Sequence, residues 1–477
     1  MTAEYLADGT GLRRVRNVHP FPVGPSSVAD LWDRRTPTSV ALVDGDIEWT
    51  TAELRAECER VARCLIDMGA RNERVVWILD NDAQPLISLI GTVLAGGMWV
   101  GVNTRTTESE RRSIITDAEA QIVLSALPED DPDVRLGLSP AATHGAALAY
   151  TSGTTGRPKA VVHMHQQLLY PAAAAIATEA LGPSSRIATP LALSTLNILL
   201  LGPLTALACG GTAVIMGPEG PTAFVRSVQQ HQVTRALVVP TIVHDLVERG
   251  TEPAELAPLE RMIMGGAGFD RARATAAQQQ LGISLVASYG LSEAPTGVAR
   301  MAIGDAGAQP LPGVDIAIEP DGEITLAPST SGPWANTWQG TLGYRNQPDE
   351  TARLWRGGRL HTGDAGTIDG DGLLQVTGRL SDMINRGGAT IAPAEVEAAL
   401  LELDGVDDVA VFGVDDDRLG HDVAAAIIGT ADPDEVAVAA RRTISGYKVP
   451  RRWLTLDALP RNANGKVDRN ELRRLLG

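Results

Sequence analysis

The stretch Ala149-Tyr-Thr-Ser-Gly-Thr-Thr-Gly-Arg-Pro-Lys-Ala-Val-Val162 decides how the chain is read. It places hydroxyls at Thr151, Ser152, Thr154 and Thr155, glycines at Gly153 and Gly156, and an ammonium group at Lys159. Glycines let backbone N–H groups approach an anion closely, while hydroxyls and Lys159 add donors and charge. That is the chemistry of a triphosphate clamp. The GxxxxGK[ST] spacing of a Walker A loop does not occur. A generic Ser/Thr/Gly turn is the simpler reading of any short loop of this kind, but this fourteen-residue run is too particular for it.

Around the loop, helix-period segments alternate with short Val/Ile/Leu/Ala runs. Glu53 to Met68 carries Leu54, Cys58, Val61, Leu65 and Met68 on one helical stripe, and Arg74 to Asp80 follows as a strand. Ala83 to Ala95 reads as a helix, Met98 to Val102 as a strand, Arg112 to Ala118 as a short helix and Ala120 to Ser125 as a strand. Strand runs resume at Ala213–Met216, Arg235–Val239, Arg261–Met264 and Leu285–Ala287. Such alternation predicts an α/β fold with mostly parallel strands. After about residue 300, Gly, Asp and Pro turns punctuate short strands, which predicts a β-rich subdomain of hairpins. From Met383 a compact α+β unit begins. The expected division is a large N-terminal domain of stacked mixed α/β sheets with the β-rich subdomain over 1–378, a hinge at 379–382 and a small mobile α+β domain over 383–477.

The chain has 477 residues, enough for more than one unit at roughly 100–200 residues per domain. Its formal charge of −17 disfavours a nucleic-acid binder and docking on an anionic membrane. Cys58, Cys64 and Cys209 form no CxxC pair, so neither a disulfide framework nor a zinc site is expected, and a reducing, cytoplasmic compartment is. The N-terminus shows no basic segment followed by an apolar core, so no secretory signal is expected. Two uncharged stretches, 83–104 and 187–218, are long enough to span a bilayer. Their internal glycines and prolines favour a buried helix, a turn and a buried strand instead, so no integral membrane segment is expected.

The loop resembles the phosphate loop of the adenylate-forming superfamily, which comprises acyl-CoA synthetases, adenylation domains of peptide synthetases and luciferases. The likeness covers nearly the whole chain and is strongest to the acyl-CoA ligases. It implies that Thr151, Ser152, Gly153, Thr154, Thr155, Gly156 and Lys159 bind ATP. Met264-Gly-Gly-Ala-Gly268 resembles the segment beside adenine and the acyl group, giving Gly265 to the acyl pocket and Gly266 and Ala267 to the nucleotide. Ser288-Tyr-Gly-Leu-Ser-Glu293 resembles the aromatic-Gly-x-Thr-Glu motif, with Ser in place of Thr. Tyr289 and Gly290 would lie on adenine, Ser292 on the α-phosphate, and Glu293 would hold Mg²⁺. Asp364 and Arg379 would bind the ribose. Ser381 and Asp382 occupy the hinge, where the family usually carries Lys or Asp at the position of Ser381. Gly387 and Gly388 belong to a loop that moves in for the CoA step. Leu459 to Arg469 resembles the final motif, whose lysine, here Lys466, reaches the carboxylate and the α-phosphate.

The implied reaction has two steps: a carboxylate attacks the α-phosphorus of ATP, and a thiol then displaces AMP after the small domain turns. Thr189 to Asn197 contains no acid to pair with an α-amine, which lowers the amino-acid reading. No carrier domain follows Gly477, so loading in cis is not expected. Ala192, Leu193, Ser194 and Asn197, with Gly265 opposite, predict a roomy apolar pocket. A bulky, non-planar acid (alicyclic, terpenoid or steroid-like) is expected, with a medium or long fatty acid as the alternative. Five cations in the twelve residues 441–452 surround Tyr447-Lys448, where they either receive CoA phosphates or form ordinary surface charge. Two further functional readings stand beside the ligase: a specialist in one half-reaction, and a non-catalytic nucleotide-binding protein. The expected partners are a small carboxylic acid and CoA, with the chain a monomer or homodimer.

Overall fold

The computed structural model describes residues 11–15, 18–137, 141–151, 159–217, 219–265, 271–461 and 467–476. The helix Thr51–Asp67 starts at a reciprocal cap: the Glu53 N–H donates to the Thr50 hydroxyl, and the Thr50 N–H donates to Glu53 at 2.9 Å. It buries Leu54, Cys58, Val61 and Leu65. Met68, expected on that stripe, is instead the exposed C-cap, because the helix ends before its turn can face the core.

Against this helix lies Gln84–Ala95, almost wholly buried. A Cβ on Gly91 would come within 2.7 Å of Val61 Cγ1, so the missing side chain sets the closeness of the pair. Gly96, at φ +79°, ends the helix and turns the chain into the strand Met98–Asn103. The second uncharged stretch runs through the strand Arg186–Thr189, three helical turns between 196 and 208, and the buried strand Thr212–Ile215. No helix among the described residues is long and apolar enough to cross a membrane.

Two sheets organise the larger part. The six-stranded sheet runs in the order Gly343–Tyr344, Lys159–Met164, Gly145–Thr151, Met98–Asn103, Arg74–Leu79, Ile122–Leu124. Its last four strands are parallel, whereas Lys159–Met164 is antiparallel to both of its neighbours. The nine-stranded sheet has a parallel centre built from Val40–Asp44, Thr212–Ile215, Arg186–Thr189, Arg235–Val238, Arg261–Met264 and Ser284–Leu291. Antiparallel strands close both of its edges. The expectation of mixed α/β sheets with mostly parallel strands holds.

Contacts along the chain divide it into two compact units. One comprises the described residues of Met1–Gly266, Arg271–Ile316 and Leu326–His361; the other takes Ala317–Thr325 and Thr362 onward. In the second unit, Ile384–Arg386, Ala389–Ile391, Val406–Asp416, Gly420–Gly429 and Arg452–Thr455 form one sheet. Alternation along the long strands sends Val409 and Val411 to one core with Val396, Leu400 and Val436. It sends Ala410 and Phe412 to the other with Leu459 and Leu472.

Candidate active site

The glycine-rich loop joins two antiparallel strands whose ends, Thr151 and Lys159, face each other across the ladder. Ser152, Gly153, Thr154, Thr155 and Gly156 lie outside the described residues, as do the side chain of Thr151, Gly266, Ala267 and Lys466. Lys159 is described. Its Nζ pairs with Glu350 at 2.7 Å and stands 5.1 Å from the centre of the Tyr344 ring. The Lys159 hydrogen bond holds the Glu350 carboxyl below its ordinary range.

Ser288 to Glu293 leaves the strand Ser284–Leu291 through a register shift between Tyr289 and Gly290. A Cβ on Gly290 would lie 2.0 Å from the Thr296 carbonyl oxygen, so only glycine fits there. The shift re-aims the half-buried Tyr289 relative to its strand. Thr296 itself takes the unusual φ of +80°.

The segment 339–345 ties this motif to the strand of Lys159. The Thr341 N–H donates to the Glu293 carbonyl at 2.7 Å, and the Thr341 hydroxyl donates to the Val162 carbonyl at 2.6 Å. The Leu342 N–H also donates to Val162, at 2.9 Å. Two residues on, the Tyr344 hydroxyl donates to Glu293 Oε1 at 2.7 Å. His163, fully buried on the same strand, lies against the Ser292 backbone, and burial pushes its imidazole down to about 4. Lys159 and Glu293 are thus brought onto one buried tyrosine.

Sequence reading missed Tyr344, Glu350, Thr341 and His163. Their only sequence signal is a Gly-Tyr pair shortly before Pro348, which starts the helix Pro348–Leu354. Glu293 supplies a single carboxylate, and the described residues contain no group of three or more His, Cys, Asp or Glu arranged for a metal. One carboxylate fits a Mg²⁺ ion that takes most of its oxygens from nucleotide phosphates and water.

Within the second unit, Asp364 and Arg379 are register partners on adjacent strands, and Arg379 Nε meets Asp364 Oδ1 at 2.8 Å. The Thr362 hydroxyl accepts from the Asp364 N–H at 3.0 Å and donates to the Ile324 carbonyl at 2.7 Å. Asp364 is buried and Arg379 half exposed. Ser381 and Asp382 lie on the single turn Leu380–Asp382. Asp382 is 3.8 Å from Arg469, which also holds Glu397 at 2.7 Å. Gly387 and Gly388, at φ +57° and +88°, form an exposed hairpin turn that suits glycine at both positions. Tyr447 is exposed, with Lys448 Nζ 5.8 Å from its ring and paired to Glu395.

The acyl-pocket candidates are held from two sides. The Leu193 N–H donates to Asn81 at 2.8 Å, and the Ser194 hydroxyl accepts from Asn103 at 3.2 Å. Leu193 is fully buried, Ala192 is exposed, and Ser194 and Asn197 are intermediate. The buried Oδ1 of Asn197 has no hydrogen-bond partner among the described residues. Among the described residues, a Cβ on Gly265 would meet only the Ser288 carbonyl, at 3.9 Å.

The AMP-binding enzyme family model matches residues 30–141 and 126–332, and that of the AMP-binding enzyme C-terminal domain matches 395–466. The chain belongs to the adenylate-forming AMP-binding enzymes. A feruloyl-CoA synthase of Amycolatopsis sp is 31% identical over 485 residues, which cover 93% of this chain and 97% of that relative. A 3-[(3aS,4S,7aS)-7a-methyl-1,5-dioxo-octahydro-1H-inden-4-yl]propanoyl:CoA ligase of Mycobacterium tuberculosis is 30% identical over 500 residues, with the same coverage of 93% and 97%. Among solved structures, the o-succinylbenzoate CoA synthetase of Bacillus subtilis, in complex with its acyl-adenylate, superposes with a TM-score of 0.84. It is 25% identical and matches over 94% of this chain and 98% of its own. The family, its mixed α/β architecture and the class of AMP-forming acid–thiol ligases agree with the motifs quoted above.

Proposed function

We propose that this adenylate-forming enzyme activates a bulky apolar carboxylic acid with ATP and transfers the acyl group to CoA. The observation that carries the reading is the convergence of Lys159 and Glu293 on Tyr344, at the end of the glycine-rich loop. A cation and a carboxylate stand together there, as a metal-bound triphosphate requires. Two relatives are named for bulky acids, one aromatic and one bicyclic. The small residues Ala192 and Gly265 support an acid of that size here; among the described residues a Cβ on Gly265 would meet only the Ser288 carbonyl.

In the first step a carboxylate oxygen forms a bond to the α-phosphorus, the bond to the bridging oxygen breaks, and pyrophosphate leaves. Lys159 and the loop neutralise the phosphates, Ser292 bonds the α-phosphate, and Tyr289 and Gly290 flank adenine. Mg²⁺, held by Glu293, would supply charge neutralisation at the phosphates. Asp364, with Arg379 beside it, takes the ribose hydroxyls, and Lys466 reaches the reacting carboxylate. In the second step the CoA sulfur attacks the acyl carbonyl and AMP leaves. The domains divide at 379–382 in this reading, with Ser381 and Asp382 as the hinge. Gly387 and Gly388 line the thiol's approach, and Tyr447 and Lys448 sit near CoA. The three buried free thiols support a cytoplasmic setting. AMP release across a panel of carboxylates, with and without CoA, tests the proposal.

A further inference from the structure

We propose that Tyr344 is the positioning residue of this site, aiming the Glu293 carboxylate with its hydroxyl and holding Lys159 with its ring. The inference rests on the adenylating reading and deepens it. Tyr344 is buried and locked by its own backbone: its N–H donates to the Thr351 hydroxyl at 2.9 Å, and the same hydroxyl donates back to its carbonyl at 3.3 Å. The approach of Thr351 is so close that a Cβ on Gly343 would fall 2.3 Å from its Cγ2, at a φ of +126° that favours glycine. The neighbouring Arg345 anchors the other side, with its N–H on the Ala160 carbonyl at 2.9 Å and its guanidinium on Glu119 at 2.9 Å.

The ring is therefore fixed before any ligand arrives. Its hydroxyl occupies Glu293 Oε1 at 2.7 Å, which turns the second oxygen of that carboxylate toward other partners. Its face lies 5.1 Å from Lys159 Nζ, within the range of a cation–π attraction. One side chain thus sets the separation between the cation and the carboxylate. A free carboxylate would have to lose rotamer freedom each time a metal–nucleotide complex binds, and the Tyr344 hydroxyl removes that cost in advance.

The two halves of the residue separate by mutation. Mn²⁺ titration of the enzyme in the presence of ATP, read by electron paramagnetic resonance, reports the metal contact. ATP titration in EDTA, read by calorimetry, reports the cationic contact without metal. Tyr344→Phe keeps the ring and is expected to raise the Mn²⁺ concentration for half-saturation about tenfold, as loss of a hydrogen bond to a charged group predicts. Its ATP affinity in EDTA should stay at the wild-type value. Tyr344→Leu should weaken both. Glu293→Gln should reproduce the Mn²⁺ defect of Tyr344→Phe, and the double variant should show little further loss. A Tyr344→Phe enzyme with wild-type Mn²⁺ half-saturation overturns the inference, and so does one that loses ATP affinity equally with and without metal. Failure of the wild-type chain to bind ATP would instead overturn the adenylating reading itself.

Discussion

Lys159 is held by the Tyr344 ring and by Glu350, and of the two only the Glu350 carboxylate competes with a phosphate for it. Glu350 binds it at 2.7 Å, and a partly exposed pair of this kind is worth roughly 0.2–1 kcal/mol. Replacing Glu350 with Gln leaves the fold's contacts nearly intact and frees the ammonium. The expected result is a KM for ATP about two- to fivefold lower in ATP–pyrophosphate exchange, with kcat little changed. An unchanged KM would show that Lys159 leaves Glu350 at no cost. The basic cluster shows the same limit on reading charge from sequence. Lys448 pairs with Glu395, Arg451 lies 3.9 Å from Asp422, and Arg452 donates to the Leu476 carbonyl at 3.1 Å. Only Arg441 and Arg442 stand exposed at the end of the helix Pro433–Ala440 with no pairing shown among the described residues.

At the scale of elements, the two features that matter are a close helix pair and a buried histidine strand. Gly91 lets the helices Thr51–Asp67 and Gln84–Ala95 meet at Val61, so Gly91→Ala forces overpacking. A loss of about 1–3 kcal/mol is expected, read as a lower denaturation midpoint with an unchanged m-value. On the strand Lys159–Met164 and the helix that follows, burial holds both His163 and His165 down to about 4, against an ordinary value of 6.5. An unfolded chain binds more protons than the fold between those two values. The stabilising contribution of neutral imidazole is therefore complete above about pH 6.5 and is lost as the pH falls toward 4. Melting temperature should drop between pH 7 and pH 5, and His163→Leu should shrink that drop. Periodicity disclosed the helix pair because its pattern is local, whereas the strand of His163 and the role of 339–345 were not legible. That role depends on pairing Gly343 and Tyr344 with residues 161 and 162, far away in sequence, and no local pattern encodes that register.

At the scale of the molecule, alternation of helix and strand disclosed the α/β class, and the motif order disclosed the family. Tyr289, Glu293, Asp364 and Arg379 were legible as site candidates from their motifs. Tyr344, the support of Glu293, was not, since a hydrogen bond between distant segments leaves no trace in spacing. The formal charge of −17 conceals local cations such as Lys159 and Arg379, which the fold places beside carboxylates. The central claim is that these parts perform adenylation followed by thioester formation. Its most direct test is AMP release by the wild-type chain with ATP, Mg²⁺ and a panel of bulky apolar acids, in the presence and absence of CoA. Multiple-turnover AMP release with an acyl-CoA product is expected when CoA is present, and little more than one equivalent of AMP per enzyme without it. ATP binding with no AMP formed from any acid, or AMP release indifferent to CoA, would contradict that claim.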